Sequence, residues 1–496
     1  MVQRYYDFRC SITIFVIMKH TKFLISAISA AFVCVVASAK VELPSVLSSG
    51  MVLQQNTDIT LWGKASPGHK VSVKTSWNGR KTTVKAGSDG RWECSVPSGA
   101  AGGPYTIEFS DGEKTVLEDI LLGEVWFCSG QSNMEMPVAG FYRQAVEGSY
   151  ETIAAASEST PIRMFLTDQE PDSERFITQS SPEVQDDLMG KWFPNSPQGV
   201  SKCSAVAYFF ARRLQSVLGV PVGLVVATRG GTWIETWISR EALEKVKPGF
   251  EASPENRFSP TYHFNGKIAP LTRFAVAGFI WYQGESNQPE ASEYSMLFQT
   301  LVADWRARWG RGDLPFYSVQ IAPYHYDNPS GISAALIREQ QQMGAEAIAN
   351  GGIVCTLDIG SDKHIHPPYK IQVGDRLAFM ALAKHYGRKG YIYESPSYDS
   401  MTIKDGKALI RFRNAPHGIG PMFTEFSGFE IAGADRVFHP AHAVTKSYGP
   451  ADLEVWSPEV GEPVAVRYCF HNLVEASVFE PAGLPLFPFR TDDWDE

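Results

Sequence analysis

The chain has 496 residues, with 45 Lys plus Arg against 54 Asp plus Glu and a formal net charge of -9. That length suits two to four domains at roughly 100–200 residues each, and the 44% hydrophobic, 20% charged composition is that of a soluble globular protein. The acidic balance, with no clustered basic stretch, argues against nucleic acid or an anionic membrane as partner, because neutralising phosphate requires a basic surface.

The N-terminus has the three parts of a cleavable export signal. Lys19 and Lys22 precede an apolar run from Phe23 to Val36, and Ala37-Ser38-Ala39 offers a small-residue cleavage site. The run is short for a membrane span, which needs ~20 residues. Met18 heads the pattern, so 1–17 reads as an upstream mis-start; an anchored N-terminal helix is the alternative. Residues 1–39 are therefore expected to be removed, leaving an exported chain with no membrane span. No Asn-x-Ser/Thr sequon with an allowed middle residue occurs, which favours a bacterial periplasm or cell envelope. Five of the seven cysteines follow Ala39, with no tight spacing, so no disulfide framework is expected.

Residues 40–118 read as a β-sandwich-like domain. Val71-Ser72-Val73-Lys74 alternates, Asn78-Gly79 is a hairpin turn, Gly87-Ser88-Asp89-Gly90 is a second break, and 104–109 is a further strand. From about 119 to 390 the pattern changes. Apolar runs at 125–128, 222–227, 276–281, 316–321 and 353–357 suit strands buried on both faces. Between them, Val206, Phe210, Leu214 and Val217 fall on one helical face, stopped by Gly219 and Pro221; Leu377, Ala378, Ala381 and Leu382 form another such face. Alternating strands and helices predict a parallel sheet with right-handed crossovers. Residues 391–496 return to β character, as at 408–412 and 464–468.

Four polar clusters each follow a buried run, and in an open parallel sheet ligands bind beyond the carboxyl ends of the strands. In Gly130-Gln131-Ser132-Asn133-Met134-Glu135, a Ser on a tight turn before a helix can expose its hydroxyl beside free backbone N–H groups; the same pattern suits a helix N-cap. Gly230-Gly231-Thr232 permits close backbone approach to a ligand, or is an ordinary turn. Gln283-Gly284-Glu285-Ser286-Asn287 contains an amide that can donate to an oxyanion without ionising, or a turn asparagine. The segment from Asp358 to Pro368 carries His364-Ile365-His366 on a Pro-bounded loop, where a neutral imidazole can serve as general base. His-x-His is also a zinc pattern, but no further ligand set with suitable spacing accompanies it, so no metal is expected.

Taken in order, Gly130-Gln131-Ser132-Asn133-Met134, the Gly231 turn, Gln283-Gly284-Glu285-Ser286-Asn287 and Ile365-His366-Pro367 resemble the signature blocks of SGNH-type hydrolases. They are most similar to the sialate O-acetylesterase branch, which is related to some acetyl xylan esterases. The stretches 265–271, Trp281-Tyr282 and 484–492 match as well, so the resemblance runs from about residue 40 to the C-terminus. It implies a flavodoxin-like three-layer α/β/α domain with a parallel sheet, flanked by N- and C-terminal β-rich domains. It implies Ser132 as nucleophile and His366 as base, with an oxyanion hole from the Ser132 N–H, a Gly231 N–H and the Asn287 side chain. It further implies an acetyl-enzyme intermediate and no cofactor. Gln131, Gln283 and Glu285 become the candidate substrate contacts.

One position departs from the family pattern. Where relatives commonly place an acid shortly before the His, this chain has Lys363 and His364. Asp362, Asp358 or a backbone carbonyl is left to orient the ring, with Asp362 favoured. A cation at Lys363 is expected to lower the His366 pKa.

The expected substrate is an O-acetylated sugar, with sialic acid favoured by the resemblance alone. A sialic acid carries a carboxylate, so a site Arg is expected, and Arg229, Arg273 and Arg338 qualify by position. Acetylated xylan or another glycan is the rival substrate. A noncatalytic carbohydrate-binding protein is the rival of another class, opposed by the joint presence of Ser132, Asn287 and His366. Oligomeric state is not legible.

Overall fold

The computed structural model describes residues 40–167, 180–445 apart from 254, 257, 423 and 424, and 452–494. The export-signal expectation lies outside the described residues. Among those described, no helix is long and apolar enough to cross a membrane.

The architecture follows from strands with two apolar faces. In Lys114–Gly130, Val125 and Phe127 enter one hydrophobic cluster while Trp126 and Cys128 enter another. Strands Val222–Thr228 and Gly278–Tyr282 alternate in the same way: Leu224, Val226, Ile280 and Tyr282 face the Trp126 side, and Val225, Ala227, Phe279 and Trp281 the other. Both sheet faces therefore need helical cover. Helices Ala205–Leu218 and Lys370–Lys384 cover one face through Val206, Phe210, Leu214, Val373 and Leu377. Helix Tyr294–Trp309 covers the other through Phe298, Trp305 and Trp309. The expected apolar face of the first helix holds except at its end, where Val217 is exposed. Gly219, at φ 68, stops that helix in the left-handed conformation open to glycine.

The sheet runs in the order Gly351–Val354, Phe316–Val319, Gly278–Tyr282, Lys114–Gly130, Val222–Thr228, Ile162–Thr167, Gly190–Pro194. The first six strands are mutually parallel, and the last is an antiparallel edge. From the central strand the chain crosses to one side and later returns to the other, so the crevice of a doubly wound sheet opens at its carboxyl end. Register makes this exact in residues: Thr228 and Tyr282 both pair with Gly130. The first three polar clusters thus leave the sheet side by side.

The N-terminal β region grows out of the same central strand. Strand Gly102–Ser110 pairs with the first half of Lys114–Gly130, so the expected boundary at 118/119 falls inside one strand. The Asn78-Gly79 turn joins strands Lys70–Thr75 and Lys81–Lys85 as the sequence predicts. Beyond 391 the chain forms antiparallel sheets, including Ser397–Lys404 with Lys407–Arg413 and Phe429–Ala432 with Ala465–Tyr468. All described residues fall in one compact unit, Ala39–Glu496. The five cysteines after residue 39 are free and buried.

Candidate active site

The chain can turn sharply after the central strand because position 130 is glycine. Its φ is 141, and a side chain there would collide with the Tyr282 carbonyl. The Gln131 N–H donates to that carbonyl at 2.9 Å, and the short helix Ser132–Glu135 begins at once. Ser132 is half-exposed between the buried side chains of Gln131 and Asn133. The second cluster lies directly against it: a Cβ on Gly230 would stand 3.2 Å from the Ser132 Cβ. Glu135 fixes that contact, its Oε2 accepting the Gly230 N–H at 2.7 Å. Gly231 follows at φ 74. The N–H groups of Ser132 and Gly231 meet no acceptor among the described residues.

Asn287 is held in one amide orientation. Its Oδ1 accepts from the Ile234 N–H at 2.9 Å and from Gln283 Nε2 at 2.7 Å. Its Nδ2 donates to Glu235 Oε2 at 3.0 Å, leaving one N–H uncommitted. Glu235 is in turn balanced by Lys247, whose Nζ lies 3.2 Å from Glu235, 3.5 Å from Glu290 and 2.6 Å from Glu293. Those three carboxylates are close enough together to hold a cation; here the Lys247 ammonium sits among them.

The His366 loop is stitched to the Ser132 turn through Asn133. Asn133 Nδ2 donates to the Ile365 carbonyl at 3.0 Å and to Glu285 Oε1 at 2.5 Å, while its Oδ1 accepts from Lys370 Nζ at 2.5 Å. The residue after Ser132 is therefore bonded to the residue before His366. Burial drives Lys370 down to about 7 against the pull of Glu285, and raises the Glu285 carboxyl above its ordinary value. Glu285 Oε2 and the Tyr282 hydroxyl are buried without a partner.

The group that orients His366 is neither expected acid. His366 Nδ1 pairs with Gln144 Oε1 at 2.7 Å, and the ring meets Phe141 edge-on at 5.2 Å. Asp362 is corrected: it is exposed and makes no bond to the ring. Asp358 is spent on a two-pronged pair with Arg376 at 2.8 and 2.6 Å. A neutral amide fixes the ring without adding charge, so nothing offsets burial. The imidazole is pushed down to about 4 by burial, then by Lys370 and His364. Lys363 is exposed and takes no part, which corrects the expectation placed on it.

The three expected substrate contacts are corrected too, because they lie beneath the site. Gln131 Oε1 accepts the N–H groups of Gly284 and Ser286. Gln283 is fully buried, bonding Thr232, Asn287 and Tyr294. Glu285 is buried on Asn133. Gln131 and Gln283 thus bind the loops together. Sequence reasoning missed Gln144, Glu235, Lys247 and Lys370. Gln144 lies 222 residues from its partner in a stretch with no recognisable signal, whereas Asn133 and Glu135 stood inside a quoted cluster.

A nucleophile candidate on a tight turn, free N–H groups beside it, an oriented amide and a neutral imidazole at the carboxyl edge of a doubly wound sheet define an SGNH-type ester hydrolase. Residues 122–383 match the family described as carbohydrate esterase, sialic acid-specific acetylesterase, and the chain belongs to that family. It is 28% identical to the mouse sialate O-acetylesterase, over 86% of this chain and 88% of that protein. With the human sialate O-acetylesterase it shares 29% identity over 74% and 75% of the two chains. The crystal structure of a carbohydrate acetylesterase from Xanthomonas citri superposes with a TM-score of 0.83 at 34% identity, covering 92% of this chain and all of that one. The activity is that of a carbohydrate O-acetylesterase.

Proposed function

We propose that the chain removes acetyl groups from O-acetylated sialic acid by a Ser–His mechanism. Ser132 attacks the acetyl carbonyl while His366 takes its proton. The oxyanion is held by the N–H groups of Ser132 and Gly231 and by the Asn287 amide. His366 returns the proton to the departing sugar hydroxyl, and water then hydrolyses the acetyl-enzyme. The observation that carries this reading is the bond from Asn133 to the Ile365 carbonyl, which ties the two reacting loops together. The family description and the mammalian relatives support sialic acid as the sugar. The export-type sequence before residue 40 supports action outside the cytoplasm.

The test is acetate release from O-acetylated sialic acid and from acetylated xylan at matched acetyl concentration. The expected result is a higher kcat/KM on the sialic acid; preference for the xylan would overturn the choice of sugar while leaving the mechanism standing.

The base assignment has a pH signature. A His must be neutral to accept the Ser132 proton, so kcat/KM holds its plateau as pH falls and drops only near pH 4, where His366 protonates. Lys370→Met removes a positive charge facing the ring, which makes protonation easier and moves the acid limb to higher pH. Lys363→Ala leaves it in place. The kcat/KM profiles of the three proteins decide this, and an unmoved limb in Lys370→Met would refute the electrostatic account.

A further inference from the structure

We infer that Arg229 is the receptor for the carboxylate of the sugar, an inference that rests on the sialic acid reading above. Of the three arginines marked by position, two are committed elsewhere. Arg338 is fully buried and donates to the carbonyls of Ile321, His471 and Asn472. Arg273 sits 3.6 Å from Glu93, a residue of the N-terminal strand Arg91–Pro97. Other cations of the region are also engaged: Arg376 with Asp358, Lys247 among three carboxylates, Lys370 on Asn133.

Arg229 differs from all of these. It immediately precedes Gly230, which packs against Ser132, and its own N–H donates to the Gly130 carbonyl at 3.0 Å. The backbone of Arg229 is thus fixed to the turn that carries the nucleophile. The guanidinium lies over the Phe258 ring at 5.8 Å, its Nε is buried without a partner, and it has no acidic neighbour among the described residues. A half-buried, pre-stacked guanidinium lacking an anion is arranged to accept one from a ligand, since its fork matches a carboxylate in two places. The ligand class is a carboxylated monosaccharide whose acetyl ester reaches Ser132.

Arg143 is the rival cation. It lies next to Gln144 and also has no acidic partner among the described residues, but it is exposed, with its guanidinium over the exposed Tyr142 ring. Ordering such a side chain on binding would offset part of any gain.

The experiment measures kcat and KM for wild type, Arg229→Ala, Arg229→Lys and Arg143→Ala on O-acetylated sialic acid and on p-nitrophenyl acetate, which has no carboxylate. Loss of a two-pronged charged bond predicts that Arg229→Ala raises KM on the sialic acid by about 10- to 100-fold. Arg229→Lys falls between, both variants lose far less on the neutral ester than on the sialic acid, and thermal denaturation beside the kinetics reports an intact fold. An unchanged sialic acid KM in Arg229→Ala, an equal loss on both substrates, or a rise confined to Arg143→Ala overturns the assignment alone. A wild type that does not hydrolyse the sialic acid overturns the sugar reading together with this one.

Discussion

Ser132→Ala and His366→Ala are each expected to reduce kcat for acetate release by about 10⁴-fold or more, with the double variant losing no more than either single one. In the proposed mechanism nucleophile and base act as a unit, so removing either stops the same step and the effects do not multiply. The residual rate then reflects the oxyanion donors and substrate binding. The fold should tolerate both changes. Ser132 is half-exposed, and no hydrogen bond among the described residues depends on its hydroxyl. Among the described residues the His366 ring shares only the Gln144 bond and the Phe141 edge. Thermal denaturation beside the kinetics makes the comparison clean. A Ser132→Ala protein with wild-type turnover and an unchanged melting curve would end the Ser–His proposal.

Asn287→Ala is expected to lower kcat by about 10²- to 10³-fold with little change in KM, the loss typical of one preorganised oxyanion donor. Preorganisation is visible in the structure. Two donors grip Oδ1, and Glu235 grips one Nδ2 hydrogen, so the remaining N–H has a fixed direction before substrate arrives. A carboxylate this close would oppose the oxyanion if it stood alone, and the ammonium of Lys247 balances it. Asn287→Asp should therefore be worse than Asn287→Ala, since it removes the donor and places a second carboxylate against Glu235. The measurement is kcat and KM on p-nitrophenyl acetate for both variants. An Asp variant more active than the Ala variant would show that the amide serves packing rather than charge.

Much of the catalytic domain was legible because its signals are local. The runs at 125–128, 222–227 and 276–281 alternate between two faces of a sheet, and such runs read as buried strands wherever they occur. Gly130 and Gly231 stand where the backbone takes positive φ next to the nucleophile candidate, a demand that few residues other than glycine meet. Because the clusters follow strand ends, a parallel sheet was enough to bring three of them together.

Three things depended on the chain alone: which segments form strands and helices, the order of the four polar clusters, and the residue types able to supply hydroxyl, imidazole and amide. Folding in space decided the rest. It paired His366 with Gln144 instead of Asp362, set Lys370 rather than Lys363 against the ring, and turned Gln131, Gln283 and Glu285 inward. Backbone preferences extend over a few neighbours and can be read in a line. Burial and hydrogen-bond pairing depend on which atoms meet after the chain has closed on itself, and a polar residue looks the same in sequence whether it will face a ligand or brace a loop.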